Sequence, residues 1–93
     1  MITQLDSLDR RFRLRHALEV EQYREHGHWI HECKPLFLLG YGKTKEESWN
    51  SFVEAFECQW ESIALERDSK LTRDALVLKR KLLDLVESVE PVA

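Results

Sequence analysis

Residues 28–49 carry the strongest local signals for secondary structure and read HWIHECKPLFLLGYGKTKEESW. Two apolar runs in this stretch are separated by Pro35, which has no backbone N–H to donate to a strand ladder. The runs therefore predict two short strands, His28–Cys33 and Leu36–Tyr41. The glycines at the end of the second run close the sheet, and a helix is expected to follow.

Upstream of this stretch, apolar and polar residues alternate with a period of two from Phe12 to Tyr23. This period predicts a strand with one face on a core. His16 lies on the apolar face, where we expect it to be partly buried. Gly27 tolerates positive φ and has polar neighbours, so it predicts a hairpin turn into the next strand. Together the three strands predict an antiparallel meander.

A helix is predicted to begin directly after the sheet. Thr44 and Glu47 have the spacing of a capping box, in which side chains accept hydrogen bonds from free backbone N–H groups of the first turn. The apolar residues that follow recur at steps of three and four, which predicts one helical stripe lying on the sheet. They are Trp49, Phe52, Val53, Phe56, Trp60, Ile63 and Ala64. The opposite face is acidic, with Glu46, Glu47, Glu54, Glu57 and Glu61.

A second helix is predicted from Thr72 to about Ser88. Leu71 and Leu76 have the spacing of a hydrophobic staple across its start. Its apolar stripe is wider than one flank of a small sheet needs. Residues 71–90 therefore have two candidate roles, packing on the domain or contact with a second copy. The leucines that would form such an oligomer contact are Leu78, Leu82 and Leu85.

These elements predict an α+β fold, in which a three-stranded antiparallel meander (β-β-β) is followed by two helices, one packed on the sheet. The 93 residues, of which 43% are hydrophobic and 33% charged, fit a single folded domain over residues 1–93. The longest uncharged apolar run, Leu36–Tyr41, is too short to span a membrane. The first residues do not resemble a signal peptide, and Cys33 and Cys58 do not form the dense pattern of a disulfide scaffold. We therefore expect a cytoplasmic protein with reduced thiols.

Charge is distributed unevenly along the chain, although its net value is only -3. Four arginines and one aspartate give residues 9–16 a net charge of +3. One lysine and six glutamates give residues 44–66 a charge of -5, and residues 67–81 carry +4 from six bases and two acids. Compensation within the chain is one explanation. The other is an acidic platform that steers a basic protein partner.

Two sequence patterns could indicate nucleotide binding or catalysis, but neither meets the requirements of such a site. Gly42-Lys43-Thr44 matches the end of a phosphate-binding loop, but Phe37 stands where that loop needs its first glycine. Helix capping by Thr44 explains the same residues. The carboxylates lie mostly on one helix face and do not converge from different elements, and no nucleophile motif is present. We therefore predict no enzymatic activity, no catalytic residues and no cofactor.

Four potential metal ligands, His26, His28, His31 and Cys33, lie within eight positions. In a strand His31 and Cys33 point to the same face, which is compatible with zinc or copper. The spacing matches no established set of zinc ligands, and exposed hairpin histidines beside a half-buried thiol are the favoured explanation of these residues. We predict no metal site, and the sequence leaves open whether these residues ever meet a metal.

Two motifs are typical of one known family, namely Trp29-Ile30-His31-Glu32-Cys33 and Gly42-Lys43-Thr44-Lys45-Glu46-Glu47-Ser48. Through them the chain resembles the HicB-like antitoxin family over about residues 12–65. The resemblance implies a partial ribonuclease-H-like domain without catalytic residues, which binds and neutralises a small basic RNA-cleaving toxin as a type II antitoxin does. On charge grounds we place Glu54, Glu57 and Glu61 at the toxin contact. The chain departs from the family after residue 70, where one helix and no recognition helix is predicted. Operator DNA binding is therefore not expected.

Two alternatives stay open. One is a stand-alone structural or regulatory module that self-associates through the leucine-rich second helix. The other is an RNA-binding module that uses the basic strand from Arg10 to Arg15.

Overall fold

The structure is a computed structural model that describes residues 2–92. Its strands and helices are, in chain order, β1 (Ile2–Asp6), β2 (Arg10–Leu18), β3 (Glu21–Glu25), β4 (His28–Cys33), β5 (Leu38–Gly42), α1 (Lys45–Gln59), α2 (Arg73–Leu85) and β6 (Val86–Pro91). The strands form two antiparallel three-stranded sheets, β1-β2-β6 and β3-β4-β5. The predicted α+β class is confirmed, whereas the arrangement of strands differs from the predicted single meander.

The second sheet is an antiparallel meander, because β3, β4 and β5 follow one another in the chain and in space. Only the end of the predicted first strand, residues 21–23, belongs to it. Gly27 has a φ of +79° in the turn between β3 and β4, as the hairpin requires. β4 has its predicted bounds. β5 begins at Leu38 instead of Leu36, because Lys34–Leu36 forms a 3-10 turn and Phe37 after it has a φ of 55°.

The strand predicted from Phe12 to Tyr23 is in fact two strands in different sheets, β2 and β3. The alternation holds within β2, where Phe12, Leu14 and Leu18 are buried. His16 was expected on the same buried face but is exposed, with Nε2 at 3.4 Å from Oδ2 of Asp84. It lies beyond the last residue of β2 that pairs with β6, outside the core.

The first sheet was not predicted, because its outer strands come from the two ends of the chain. β1 and β6 flank β2, with Arg11 paired to Glu90 and Phe12 to Val89 on the β6 side. The predicted second helix consequently ends at Leu85 and not at Ser88, since the residues after it pair with β2. Backbone groups of β2 thereby obtain partners that a longer helix would have left unpaired.

The start of α1 follows the predicted capping box. The Thr44 hydroxyl accepts a hydrogen bond from the Glu47 N–H at 3.1 Å. The Glu47 carboxylate accepts in return from the N–H of Lys43, one residue before the cap, at 3.0 Å. These contacts fix where α1 begins relative to β5.

α1 packs on both sheets. At the middle of the helix, a Cβ added to Gly40 of β5 would lie 2.3 Å from the backbone nitrogen of Phe52, so helix and strand are in direct contact. Near its end, the Phe12 ring of β2 packs edge-on against Phe56 at 5.1 Å and Trp60 at 5.9 Å. A π-helical turn over Trp60–Ala64 continues the helix. The predicted stripe is confirmed, since most of its side chains are buried and the rest are partly buried.

α2 packs on β2, β6 and the π-helical turn. Leu82 and Leu85 on its inner face belong to the core. None of the helices formed by residues 2–92 is long and apolar enough to cross a membrane.

Candidate partner-binding groove

The turn between β1 and β2 is held against α1 by Ser7. The Ser7 hydroxyl donates to Oε2 of Glu57 at 2.9 Å, and its oxygen accepts from the N–H of Arg10 at 2.9 Å. The N–H of Val92 donates to the carbonyl of Asp9 at 2.8 Å. Because both α1 and the end of the last strand hold this turn, its residues have a defined position beside the helix.

An acidic groove of about 310 Å³ lies between this turn and α1. Half of its lining residues are carboxylates, namely Asp6, Asp9, Glu54 and Glu57. The others are Ser7, Leu8, Asn50 and Val53, so the lining includes no lysine or arginine. Leu8 is 95% exposed. The groove therefore combines concentrated negative charge with one prominent apolar side chain.

Arg10 binds two of the three glutamates that we predicted to contact a partner. Its Nε lies 2.8 Å from Oε2 of Glu57, and its Nη2 contacts Oε1 of Glu61. Partial burial lowers the pKa of the Arg10 guanidinium, but these hydrogen bonds outweigh that effect and leave the pKa above its ordinary value. Glu57 lines the groove while Glu61 does not. Both are already paired within the chain.

Glu54 and Asp9 are the groove carboxylates without an ion pair among residues 2–92. Both are exposed. Asp6 differs, because it accepts a hydrogen bond from Nε of Arg11 at 3.0 Å and others from Gln4. Burial raises the pKa of Asp6, but these hydrogen bonds outweigh it and hold the pKa below its ordinary value. Negative charge open to a partner is therefore concentrated at Glu54 and Asp9.

Sequence reasoning found Glu54 and Glu57 but missed the half of the groove that comes from the turn. A local signal was present, because Ser7 and Asp9 flank Leu8 and both are residues typical of turns. No local pattern shows that this turn meets α1, since Ser7 and Glu57 are 50 positions apart.

The basic strand is largely neutralised within the chain. Arg10 is paired as described, Arg11 binds Asp6, and Nε of Arg13 lies 2.9 Å from Oε1 of Glu90. Of the four arginines, only Arg15 forms no ion pair within residues 2–92. An RNA-binding surface needs several free cations in a row. We therefore do not propose the RNA-binding alternative.

The four potential metal ligands are not assembled into a site. His26 and His28 are exposed around the β3–β4 turn, whereas His31 and Cys33 are buried on the inner face of β4. Within residues 2–92, no group of three or more histidine, cysteine, aspartate or glutamate side chains is arranged to hold a metal ion. Burial raises the pKa of the Cys33 thiol.

The leucines predicted to contact a second copy face the interior of their own chain. Leu82 is 0% exposed, Leu85 is 8% exposed, and Leu78 is partly buried against the core. Packing within one chain accounts for their burial. Oligomerisation through these residues stays a prediction.

No protein-family model matches the chain, and no curated protein and no solved structure is significantly similar to it. The resemblance to HicB-like antitoxins stays a prediction from the quoted motifs.

Proposed function

We propose that this protein is a non-enzymatic, antitoxin-like binding protein that neutralises a small basic RNA-cleaving toxin through the acidic groove. The observation that supports this proposal most is the grouping of four carboxylates beside an exposed Leu8. Asp9 and Glu54, which lack ion pairs over residues 2–92, attract cationic side chains of the partner. Leu8 adds apolar contact area beside them.

Neutralisation by this route needs no catalysis by the antitoxin-like chain. A protein that cleaves RNA holds the phosphate backbone with lysine and arginine side chains. Carboxylates that occupy the same cations compete with RNA for them. The internal pairs of Arg10 with Glu57 and Glu61 keep these two glutamates less available, so we expect the partner's cations beside Asp9 and Glu54.

The test begins with capture of the partner by the full chain from its native host, followed by purification of that partner. Its ribonuclease activity is then measured with and without the chain. Association rates are measured at low and high salt for the wild type and for a variant combining Asp9→Lys with Glu54→Lys. A variant combining Glu25→Lys with Glu87→Lys, two exposed glutamates outside the groove, reverses the same number of charges and is the matched control.

We expect the wild type to inhibit the ribonuclease and the double variant to associate at least about tenfold more slowly at low salt, with a flatter salt dependence. The control variant of Glu25 and Glu87 should keep most of the wild-type rate. A captured partner without ribonuclease activity would contradict the toxin assignment. Equal rates for the double variant and the wild type would remove the groove from the interface.

A further inference from the structure

A second cavity, of about 380 Å³, lies where both sheets approach the first turn of α1. Its walls include Ile2 from β1, Gln22 from β3, His31 from β4 and Trp49 from α1. α1 packs on β4 and β5 but hardly on β3, which leaves the inner face of β3 open here. The cavity shares no lining residue with the acidic groove.

His31 forms the buried end of this cavity. It lies opposite Gln22 and Gly40 on the neighbouring strands and is 6% exposed. Its Nδ1 is 2.7 Å from Oγ of Ser48. Its Nε2 forms no hydrogen bond with the part of the chain that the structure describes. A side chain more than nine-tenths buried therefore reaches the cavity with one nitrogen unpartnered.

The contacts of Ser48 are the basis for assigning the proton of the neutral His31 ring to one nitrogen. Oγ of Ser48 lies 3.2 Å from the carbonyl oxygen of Gly40, which can only accept a hydrogen bond. We assign the hydroxyl proton to that carbonyl, which makes Oγ the acceptor for Nδ1–H of His31 and leaves a lone pair on Nε2. Burial lowers the pKa of His31, which favours the neutral imidazole near neutral pH. The cavity thus contains a fixed hydrogen-bond acceptor at its buried end.

The sides of the cavity are largely apolar, apart from the exposed amide of Gln22. The Trp49 ring is stacked on Phe52 with centroids 5.5 Å apart and packs edge-on against His31 at 5.4 Å. These contacts hold the Trp49 side chain in one orientation. Ile2 and Val20 supply the remaining apolar surface. The flat Trp49 ring and the aliphatic side chains beside the buried acceptor of His31 fit a planar ring with one polar edge.

The mouth of the cavity favours neither sign of charge. Lys45 and Glu46, both exposed, line it side by side, and the Lys45 ammonium lies 4.7 Å from the centroid of the Trp29 ring. We propose that this cavity binds a small, uncharged heteroaromatic molecule whose ring N–H donates a hydrogen bond to Nε2 of His31. This site is independent of the proposed partner binding, because the two surfaces have no residue in common.

Indole and 1-methylindole test the proposal on the wild-type protein, since they have similar ring shapes and only indole has the N–H. Titrations followed by ¹H–¹⁵N NMR should show saturable shifts at Val20, Gln22, His31 and Trp49 with indole. The Nε2 resonance of His31 should shift with them. We expect 1-methylindole to bind at least about tenfold more weakly, which corresponds to about 1.4 kcal/mol.

Two variants extend the test. His31→Phe keeps a ring but removes the acceptor, so indole and 1-methylindole should bind it equally weakly. His28→Phe changes an exposed histidine of the same strand and should leave the difference intact. The absence of saturable shifts with indole, shifts confined to other residues, or equal affinity of the wild type for the two molecules would each overturn the proposal.

Discussion

Burial of His31 links the stability of the fold to pH. The imidazole titrates near 6.5 in the unfolded chain and at a lower pH when folded, because burial lowers its pKa. Between these values the unfolded state binds more protons, so the free energy of unfolding should fall as the pH decreases below 6.5. Urea denaturation at a series of pH values measures this fall.

The variant His31→Gln should flatten that pH dependence, because glutamine can hydrogen-bond to Ser48 but does not titrate. His28→Gln should leave it unchanged, since His28 is exposed. Lys45 and Glu46 line the same cavity and stay in place in both variants. An unaltered pH dependence in His31→Gln would assign the effect to another group.

The backbone of α1 approaches β5 closely at Gly40. A Cβ at this position would lie 2.3 Å from the nitrogen of Phe52 and 2.6 Å from the carbonyl oxygen of Ser48, both backbone atoms. We expect Gly40→Ala to lower the free energy of unfolding by about 3 kcal/mol, because the helix must shift.

Gly27→Ala is the matched substitution, with a positive φ but no atom within 4 Å of the added Cβ. It should cost only about 1 kcal/mol. Urea denaturation followed by circular dichroism compares the two variants. A loss for Gly40→Ala no larger than that for Gly27→Ala would mean that the contact is looser than described.

The stability of α1 depends on its N-cap residue, Thr44. Thr44→Ala removes the acceptor for the Glu47 N–H and should lower the free energy of unfolding by about 1 kcal/mol. Thr44→Ser keeps the hydroxyl and should lose much less. Thermal unfolding of the two variants measures the difference. Equal losses would show that the methyl group of Thr44, and not its hydroxyl, is responsible.

For the molecule as a whole, substitution of Leu82 tests whether this residue packs in the core of one chain or contacts a second copy. Leu82→Ala should lower the free energy of unfolding by about 2–5 kcal/mol, because the side chain is completely buried within one chain. Its neighbour Leu83 is 45% exposed, and Leu83→Ala should change stability by no more than about 0.5 kcal/mol. Denaturation at several protein concentrations measures both. A loss for Leu82→Ala that grows with protein concentration would point to the oligomer contact instead.

Helix α1 and the β4–β5 part of the meander were predictable from the sequence because their signals are local. The cap at Thr44, the stripe through Phe52 and Phe56, and the proline after β4 each act over a few residues. The acidic face of α1 was visible for the same reason, and it correctly placed Glu54 and Glu57 on a common surface.

The first sheet and the complete groove are decided by contacts between distant parts of the chain. The second helix was predicted to extend to about Ser88, yet the chain leaves the helix at Leu85 because β2 offers a strand edge. Arg13 thereby meets Glu90, 77 positions away. The same long-range packing brings the turn around Leu8 to α1 and pairs Arg10 with Glu57. The linear charge pattern thus identified an acidic segment, while tertiary contacts selected which of its carboxylates stay free for a partner.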